Sequence, residues 1–168
     1  MTVDAGIGDS GIQFMSITQD DPLAAPLLED LAREYASRYG RSPDDLREEL
    51  ESYPGDEFAA PHGALIVAVL GGVPIAGGAY RRFDCRTAEL KRIWTARAYR
   101  GRGFGRLVVS ELERSARDRG YRRIYLTTGW NQPEAVALYL AAGYRPLYDQ
   151  GLPSESVGIH PFEKAIAA

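Results

Sequence analysis

Hydrophobic and polar residues follow two periods along the chain, and the changes between them mark the predicted elements. Apolar side chains recur at helical spacing in residues 23–35 and again in residues 104–112, which predicts two amphipathic helices. A continuous apolar run at 64–70, bounded by glycines, is typical of a buried strand. Gly71-Gly72 then predicts a hairpin turn into a strand at 74–83.

The predicted elements form a single mixed α/β domain. Strands are predicted at residues 12–17, 64–70, 74–83, 88–95, 123–128, 144–148 and 162–166. Helices are predicted from a start at 20–22 to Gly40, from Ser42 to about residue 53, from 103 to 119 and from 133 to 142. No repeat, low-complexity segment or linker divides the chain, so we expect one domain at residues 12–168 after a flexible N-terminal tail at residues 1–11.

The fourth predicted strand breaks the alternation of inward and outward side chains. Leu90 and Ile93 are three positions apart, so a regular strand would place them on opposite faces of the sheet. A β-bulge between the two residues would return both to the core and would leave backbone groups without strand partners. We therefore expect a bulge in the strand at 88–95.

Composition and charge narrow the classes of function. The chain has 168 residues and a formal net charge of −3, which disfavours nucleic-acid binding. Cys85 is the only cysteine and the two histidines are far apart in sequence, so we expect neither a disulfide nor a metal site. The longest apolar run is too short to span a membrane, and the first residues do not resemble a signal peptide. We expect a cytoplasmic protein that binds no membrane, and we leave a homodimer open.

Candidate chemistry is concentrated in a glycine-rich stretch between the fourth strand and the third helix. The stretch consists of Arg100, Gly101, Arg102, Gly103, Phe104, Gly105 and Arg106. Glycines let backbone amides approach a ligand, and a helix start offers free N–H groups, which together favour a phosphate. The residues that follow exclude a P-loop and do not fit a dinucleotide-binding fingerprint. They fit the pattern Arg-x-x-Gly-x-Gly, and a glycine-rich turn with solvated arginines is the alternative.

The stretch from residue 88 to residue 146 resembles the GNAT acyltransferase superfamily. Its order is strand, Arg-Gly-Arg-Gly-Phe-Gly-Arg loop, long helix, strand and then Glu-Ala-Val-Ala-Leu-Tyr-Leu-Ala-Ala-Gly-Tyr. The resemblance implies a GNAT fold: one mixed central sheet of about six to seven strands with a splayed fourth and fifth strand, flanked by about four helices. The two flanks of the chain fit the family only in the order of their elements.

The resemblance also implies acetyl-coenzyme A (acetyl-CoA) as the acyl donor. Its pyrophosphate would lie on the glycine-rich loop, and its pantetheine arm would pair with the backbone of Ile93, Trp94 and Thr95. The family often has an asparagine seven residues before a tyrosine of its second motif. Here Gln132 holds that position and Asn131 precedes it, so either amide is a candidate contact to the donor.

Two residues are candidates for catalysis. Tyr139 matches the family tyrosine that can give a proton to the departing thiolate, and its place on the predicted helix equally suits a plain core residue. Glu89 is the leading candidate for a base. The alternative for Glu89 is an ion pair with Lys91 or Arg92, and water could relay the proton if no base is needed.

Taken with these residues, the resemblance implies an N-acetyltransferase that acts on a primary amine of a small molecule or peptide. The amine would attack the thioester directly in a ternary complex. A catalytically idle acyl-CoA-binding or regulatory module is the alternative. Tyr35, Tyr39 and Tyr53, with the acidic residues of the second helix, either favour a cationic amine or form a solvated face.

Overall fold

A seven-stranded mixed sheet forms the centre of the computed structural model, which describes residues 11–166. The strands are β1 (Ile12–Ile17), β2 (Ala64–Leu70), β3 (Val73–Arg82), β4 (Thr87–Thr95), β5 (Arg123–Thr128), β6 (Arg145–Pro146) and β7 (His160–Ala165). Their order across the sheet is β1-β2-β3-β4-β5-β7-β6, and all neighbours are antiparallel except the parallel pair β4–β5. The expected fold class is confirmed. Residues 1–10 of the predicted tail lie outside the described range.

The α-helices are α1 (Ala25–Tyr39), α2 (Pro43–Ser52), α3 (Phe104–Asp118), α4 (Pro133–Ala141) and α5 (Ser154–Val157). The first predicted helix begins with a 3-10 turn at Pro22–Ala24, in which the side chain of Asp21 accepts a hydrogen bond from the Leu23 amide. The C-terminal end differs from the prediction in two respects. The sixth strand shrinks to two residues, and the unpredicted α5 occupies the loop before β7.

Helices cover both faces of the sheet and bury a separate core on each. On one face α1 packs over β2, β3 and β4 through an apolar stripe that includes Leu27, Leu28 and Leu31. On the other face α3 and α4 pack through a stripe that includes Val108, Leu112 and Tyr139. Two-sided burial explains why β2 is a continuous apolar run rather than an alternating one. Within residues 11–166 no helix has both the length and the hydropathy to cross a membrane.

β4 contains the predicted bulge. Gly77 pairs with Trp94 and Ala79 with Lys91, so two residues of β4, at 92 and 93, lie opposite Gly78. Both apolar residues that broke the alternation, at 90 and 93, now pack on the α3 side. A Cβ on Gly78 would lie 2.6 Å from Cδ1 of the residue at 93. The absence of a side chain there therefore makes room for the bulge.

β4 and β5 pair only over their first residues. The parallel ladder joins residues 87–89 of β4 to residues 123–125 of β5. β4 then continues to Thr95 and β5 to Thr128 without further pairing to each other. The two strands are therefore splayed, as the family resemblance implied, and a gap opens between their carboxyl ends.

Candidate active site

A cleft of about 640 Å³ occupies the gap where β4 and β5 separate. Its walls come from the second half of β4, the end of β5, the glycine-rich loop and α4, while α1, α2 and Phe58 close its other end. Ligands of open α/β sheets commonly bind at the carboxyl ends of parallel strands. The predicted site residues that line the cleft are Ile93, Trp94, Thr95, Arg100, Gly101, Gly103, Phe104, Gly105, Arg106, Gln132 and Tyr139.

The loop before α3 has the backbone geometry of an anion site. Gly101 and Gly103 have φ angles of 74° and 85°, a left-handed conformation that glycine adopts at little cost. Gly103 is the N-cap residue of α3, and no side chain caps the first N–H groups of this helix. A Cβ on either glycine would meet nothing within 4 Å. Open space therefore lies against a loop whose helix-start amides are available to a ligand.

The three arginines of this loop have different surroundings. Arg100 lines the cleft, and its Nη2 lies 3.2 Å from Oε2 of Glu34 on α1. Arg106 also lines the cleft. Arg102 lies outside it, with its guanidinium 5.6 Å from the centroid of the Tyr99 ring. Arg100 and Arg106 are therefore better placed than Arg102 to contact a ligand phosphate.

The backbone segment after the bulge lies on the free edge of β4. Ile93, Trp94 and Thr95 all line the cleft, and the last two pair with β3 through the opposite edge. The Trp94 side chain is buried on the α1 side, where its Nε1 donates a hydrogen bond of 3.0 Å to Asp30. On the edge of this segment that faces β5, the Thr95 carbonyl accepts a 3.2 Å hydrogen bond from Nε of Arg100, and the rest of the edge lies along the cleft.

The structure separates the two amide candidates. Gln132 lines the cleft, and its Nε2 lies 3.4 Å from the hydroxyl of Tyr39. Asn131 does not line the cleft and turns toward α1 instead. Its main-chain carbonyl accepts a 2.6 Å hydrogen bond from Arg38, and its side-chain amide lies 3.4 Å from the Arg38 carbonyl. Asn131 thus holds the end of α1 against the loop after β5, and Gln132 faces the ligand space.

Tyr139 on α4 is both a core residue and a cleft residue. Only 6% of it is exposed, and its ring packs against Tyr144 and Phe162 with centroid distances of 5.7 and 5.9 Å. Burial, with a smaller contribution from Tyr35, raises the pKa of the Tyr139 phenol well above its ordinary value. The phenol therefore keeps its proton at neutral pH and can offer it to a group in the cleft.

Glu89 lies outside the cleft lining and is held by ion pairs. It is 4% exposed, and its Oε1 lies 2.8 Å from Nε of Arg81, its cross-strand partner on β3. Its Oε2 lies 3.8 Å from Nζ of Lys91. This geometry favours the ion-pair interpretation over the base interpretation. Arg81, which the sequence did not single out, is the main partner in place of Arg92.

Two further residues of the cleft were not predicted. Arg92 lines the cleft from the bulge of β4. Thr128 lines it from the end of β5, and its buried Oγ1 has no hydrogen-bond partner within residues 11–166. The break in alternation on β4 was the one sequence signal that pointed to Arg92. In the same described range, no three or more His, Cys, Asp or Glu side chains form a group that could hold a metal ion.

Known acetyltransferases match this chain in sequence. Residues 24–144 match the model of the Acetyltransferase (GNAT) family. N-acetyltransferase 8 of Rattus norvegicus is 30% identical over 105 residues, which make up 60% of this chain and 46% of that protein. The chain belongs to the GNAT acetyltransferase family. It spans about half the length of the curated N-acetyltransferase 8 relatives that it matches.

Solved structures match it in fold. A GNAT family acetyltransferase from Staphylococcus aureus has a TM-score of 0.71 at 16% identity, with 92% of this chain and 99% of that chain covered. A GNAT family acetyltransferase from Elizabethkingia anophelis, solved with acetyl-CoA bound, has a TM-score of 0.62 at 16% identity, with 94% and 99% covered. At this level of identity the similarity establishes the fold.

Proposed function

We propose that this GNAT family member is an acetyl-CoA-dependent N-acetyltransferase that acetylates a primary amine of a small molecule or peptide. The observation that carries the proposal is the continuity of one cleft. The glycine-rich loop, the open edge of β4, Tyr139 and residues of α1 and α2 all line the same space. The loop suits the diphosphate of a donor, the edge of β4 its amide-containing arm, and Tyr139 its thioester. The part of the cleft at α1 and α2 suits an acceptor.

The donor would be held mainly by backbone groups and by two guanidinium groups. The free N–H groups at the start of α3, with Arg100 and Arg106, are proposed to bind the diphosphate. Amide groups of the pantetheine arm would pair with the free edge of β4 at residues 93–95, and Gln132 would add an amide contact. Arg100 already contacts Glu34, so a phosphate would compete with this carboxylate for the same guanidinium.

The proposed reaction proceeds without an acyl-enzyme. The amine nitrogen attacks the thioester carbonyl, an amide bond forms, the C–S bond breaks, the nitrogen loses a proton and the sulfur gains one. Tyr139 is proposed to give its proton to the sulfur and to recover one from solvent. Because Glu89 is paired with Arg81 away from the cleft, water is proposed to take the proton from the nitrogen.

Calorimetric titration with acetyl-CoA, followed by an assay for free coenzyme A thiol with a panel of primary amines, tests this proposal. We expect saturable binding and amine-dependent thiol release, with the acetylated amine identified by mass spectrometry. Free coenzyme A is the ligand control in the calorimetric titration, because it should bind the same loop and has no acetyl group to transfer. Absence of acetyl-CoA binding by the folded protein would contradict the proposal.

The second candidate function is an idle acyl-CoA-binding module. It is favoured by the position of Glu89, because a carboxylate that could act as a base is engaged in an ion pair. The same two measurements distinguish the candidates. Tight acetyl-CoA binding without thiol release on any amine of the panel would favour the idle module over the enzyme.

A further inference from the structure

One buried cation of the cleft has no role in the proposed donor site. Arg92 is 9% exposed, lines the cleft and occupies the first position of the β4 bulge with a φ of 60°. A left-handed φ at this position of a bulge is normally supplied by glycine. A side chain at this left-handed φ is strained. Arginine thus occupies a position where glycine would be less strained.

The contacts of Arg92 with the rest of residues 11–166 are to carbonyl oxygens and aromatic rings. Its Nη1 donates to the side-chain carbonyl of Gln19 and its Nη2 to the main-chain carbonyl of Leu50, both at 2.6 Å. The guanidinium carbon lies 4.8 Å from the centroid of the Phe58 ring and 5.7 Å from that of Tyr53. Within residues 11–166, no Asp or Glu forms an ion pair with it. A guanidinium also has more N–H donors than these two bonds use.

The acidic side chains of the cleft are all engaged elsewhere. Glu34 and Glu134 both contact Arg38 of α1. Glu49 lies 2.7 Å from Arg41. These pairs neutralise the carboxylates of the cleft wall, whereas burying a cation such as Arg92 without a counter-charge is costly. The part of the cleft between β4 and α2 is therefore poised to accept a negative charge.

The donor does not supply this charge in the proposed arrangement. Its diphosphate lies at the glycine-rich loop, beyond residue 95, whereas Arg92 precedes the segment 93–95 at the opposite end. All the contacts of Arg92 come from outside the loop: Gln19, Leu50, Tyr53 and Phe58. The guanidinium thus lies in the region assigned to the acceptor.

We propose that Arg92 recognises a carboxylate on the acceptor, so that the preferred acceptor is an amino acid with an apolar side chain. This inference rests on the proposed function, because it names the class of amine that the same cleft acetylates. The apolar part of such an acceptor would contact the side chains beside Arg92, since Leu31, Leu50 and Phe58 line the same end of the cleft. Its amino group would then be directed toward the donor thioester.

The test compares amino acids with the amines that lack only the carboxylate: alanine with ethylamine, leucine with 3-methylbutylamine, and phenylalanine with 2-phenylethylamine. Each pair is assayed with wild type, Arg92→Gln, Arg92→Lys and the control Arg33→Gln. Arg33 is an exposed residue of α1 whose ion pair lies outside the cleft. For at least one pair, we expect wild type to prefer the amino acid in kcat/KM by roughly 10–100-fold, the effect of a charged hydrogen bond.

The preference should fall to within about 3-fold in Arg92→Gln, mainly through KM, and Arg92→Lys should retain part of it. Dividing the wild-type preference by the Arg92→Gln preference removes any difference in reactivity between the paired amines. Arg33→Gln should keep the wild-type ratio. If the Arg92 variants do not fold, the wild-type kcat/KM values are compared after each is divided by the fraction of neutral amine at the assay pH, which removes the difference in basicity between the paired amines.

Transfer to the simple amines with equal or greater efficiency would overturn this inference and leave the proposed function intact. A preference for the amino acid that survives unchanged in folded Arg92→Gln would also overturn it. Failure of acetyl transfer to every amine, with acetyl-CoA bound, would overturn the proposed function and the inference together.

Discussion

At the scale of single residues, Tyr139 has a packing role in the core and a proposed role as proton donor. Its ring fills the core between Tyr144 and Phe162, and its position on the cleft makes the hydroxyl available for chemistry. Burial raises the pKa of this phenol, which keeps it protonated and also makes it a weaker acid. The retained proton is compatible with a role as proton donor to sulfur, and the weaker acidity limits that role.

Tyr139→Phe separates the two tasks because it removes the hydroxyl and keeps the ring. If the hydroxyl donates to the departing thiolate, kcat should fall by roughly 10²–10⁴-fold. The affinity for acetyl-CoA, measured by calorimetry, should change only a few-fold. Because the raised pKa keeps the phenol protonated across the usual assay range, the alkaline side of the rate profile should be the same in both proteins.

Thermal unfolding of both proteins is the control for packing. Wild-type turnover in Tyr139→Phe would return this residue to a purely structural role. So would a loss of activity that parallels a loss of thermal stability.

At the scale of elements, the junction between the glycine-rich loop and α3 is the proposed binding site for the donor phosphates. Gly103 combines a left-handed φ with open space where a Cβ would project. Glycine is therefore favoured there by the backbone conformation and not by contact with a neighbouring side chain. Gly120, just after α3, has the same two properties, with a φ of 92°, and lies away from the cleft. The two glycines form a matched pair.

Gly103→Val and Gly120→Val should both lose about 1–3 kcal/mol in the free energy of unfolding, because valine is strained at a left-handed φ. Only Gly103→Val should lose binding of acetyl-CoA, since its side chain would project into the space against the helix-start amides. Urea denaturation measures the first effect and calorimetric titration the second. Unchanged affinity in the folded Gly103→Val protein would show that the loop does not hold the donor phosphates.

At the scale of the whole molecule, a buried polar network joins the elements that support Tyr139. Glu113 of α3 is 7% exposed, and both its carboxylate oxygens lie 3.0 Å from Nζ of Lys164 on β7. Tyr144 donates a 3.0 Å hydrogen bond to the same carboxylate, and Lys164 also donates to the carbonyl of Ala142 at the end of α4. The network therefore ties α3, α4 and β7 together behind the cleft.

Lys164→Met should lower the free energy of unfolding by about 3–5 kcal/mol, because it leaves the buried carboxylate of Glu113 without its cation. The double variant Glu113→Gln/Lys164→Met should recover part of this loss. Arg114→Ala is the surface control: Arg114 is itself exposed and pairs with Glu111 and Asp118, so its loss should stay within about 1 kcal/mol. Urea denaturation measures all three, and a Lys164→Met loss no larger than the control would contradict the assignment.

The sequence by itself determined the features that short segments encode. The periods of apolar residues placed α1, α3 and several strands, because a side chain's face follows directly from its position along a helix or strand. The mismatch between Leu90 and Ile93 identified the bulge for the same reason. Start and stop residues placed α2 and α4. The glycines of the loop before α3 predicted a backbone that can approach a ligand closely, because glycine adopts left-handed φ angles at little cost.

Only the tertiary structure decided which side chains meet in the cleft. Glu89 is paired with Arg81 because antiparallel register places the two opposite each other, a relation that neither strand reveals alone. Gln132 faces the ligand space because Arg38 of α1 holds its neighbour Asn131. Among residues 11–166, carbonyls and rings from distant segments surround Arg92, and no carboxylate forms an ion pair with it. Such contacts depend on how separate elements pack, and local patterns of polarity do not predict that packing.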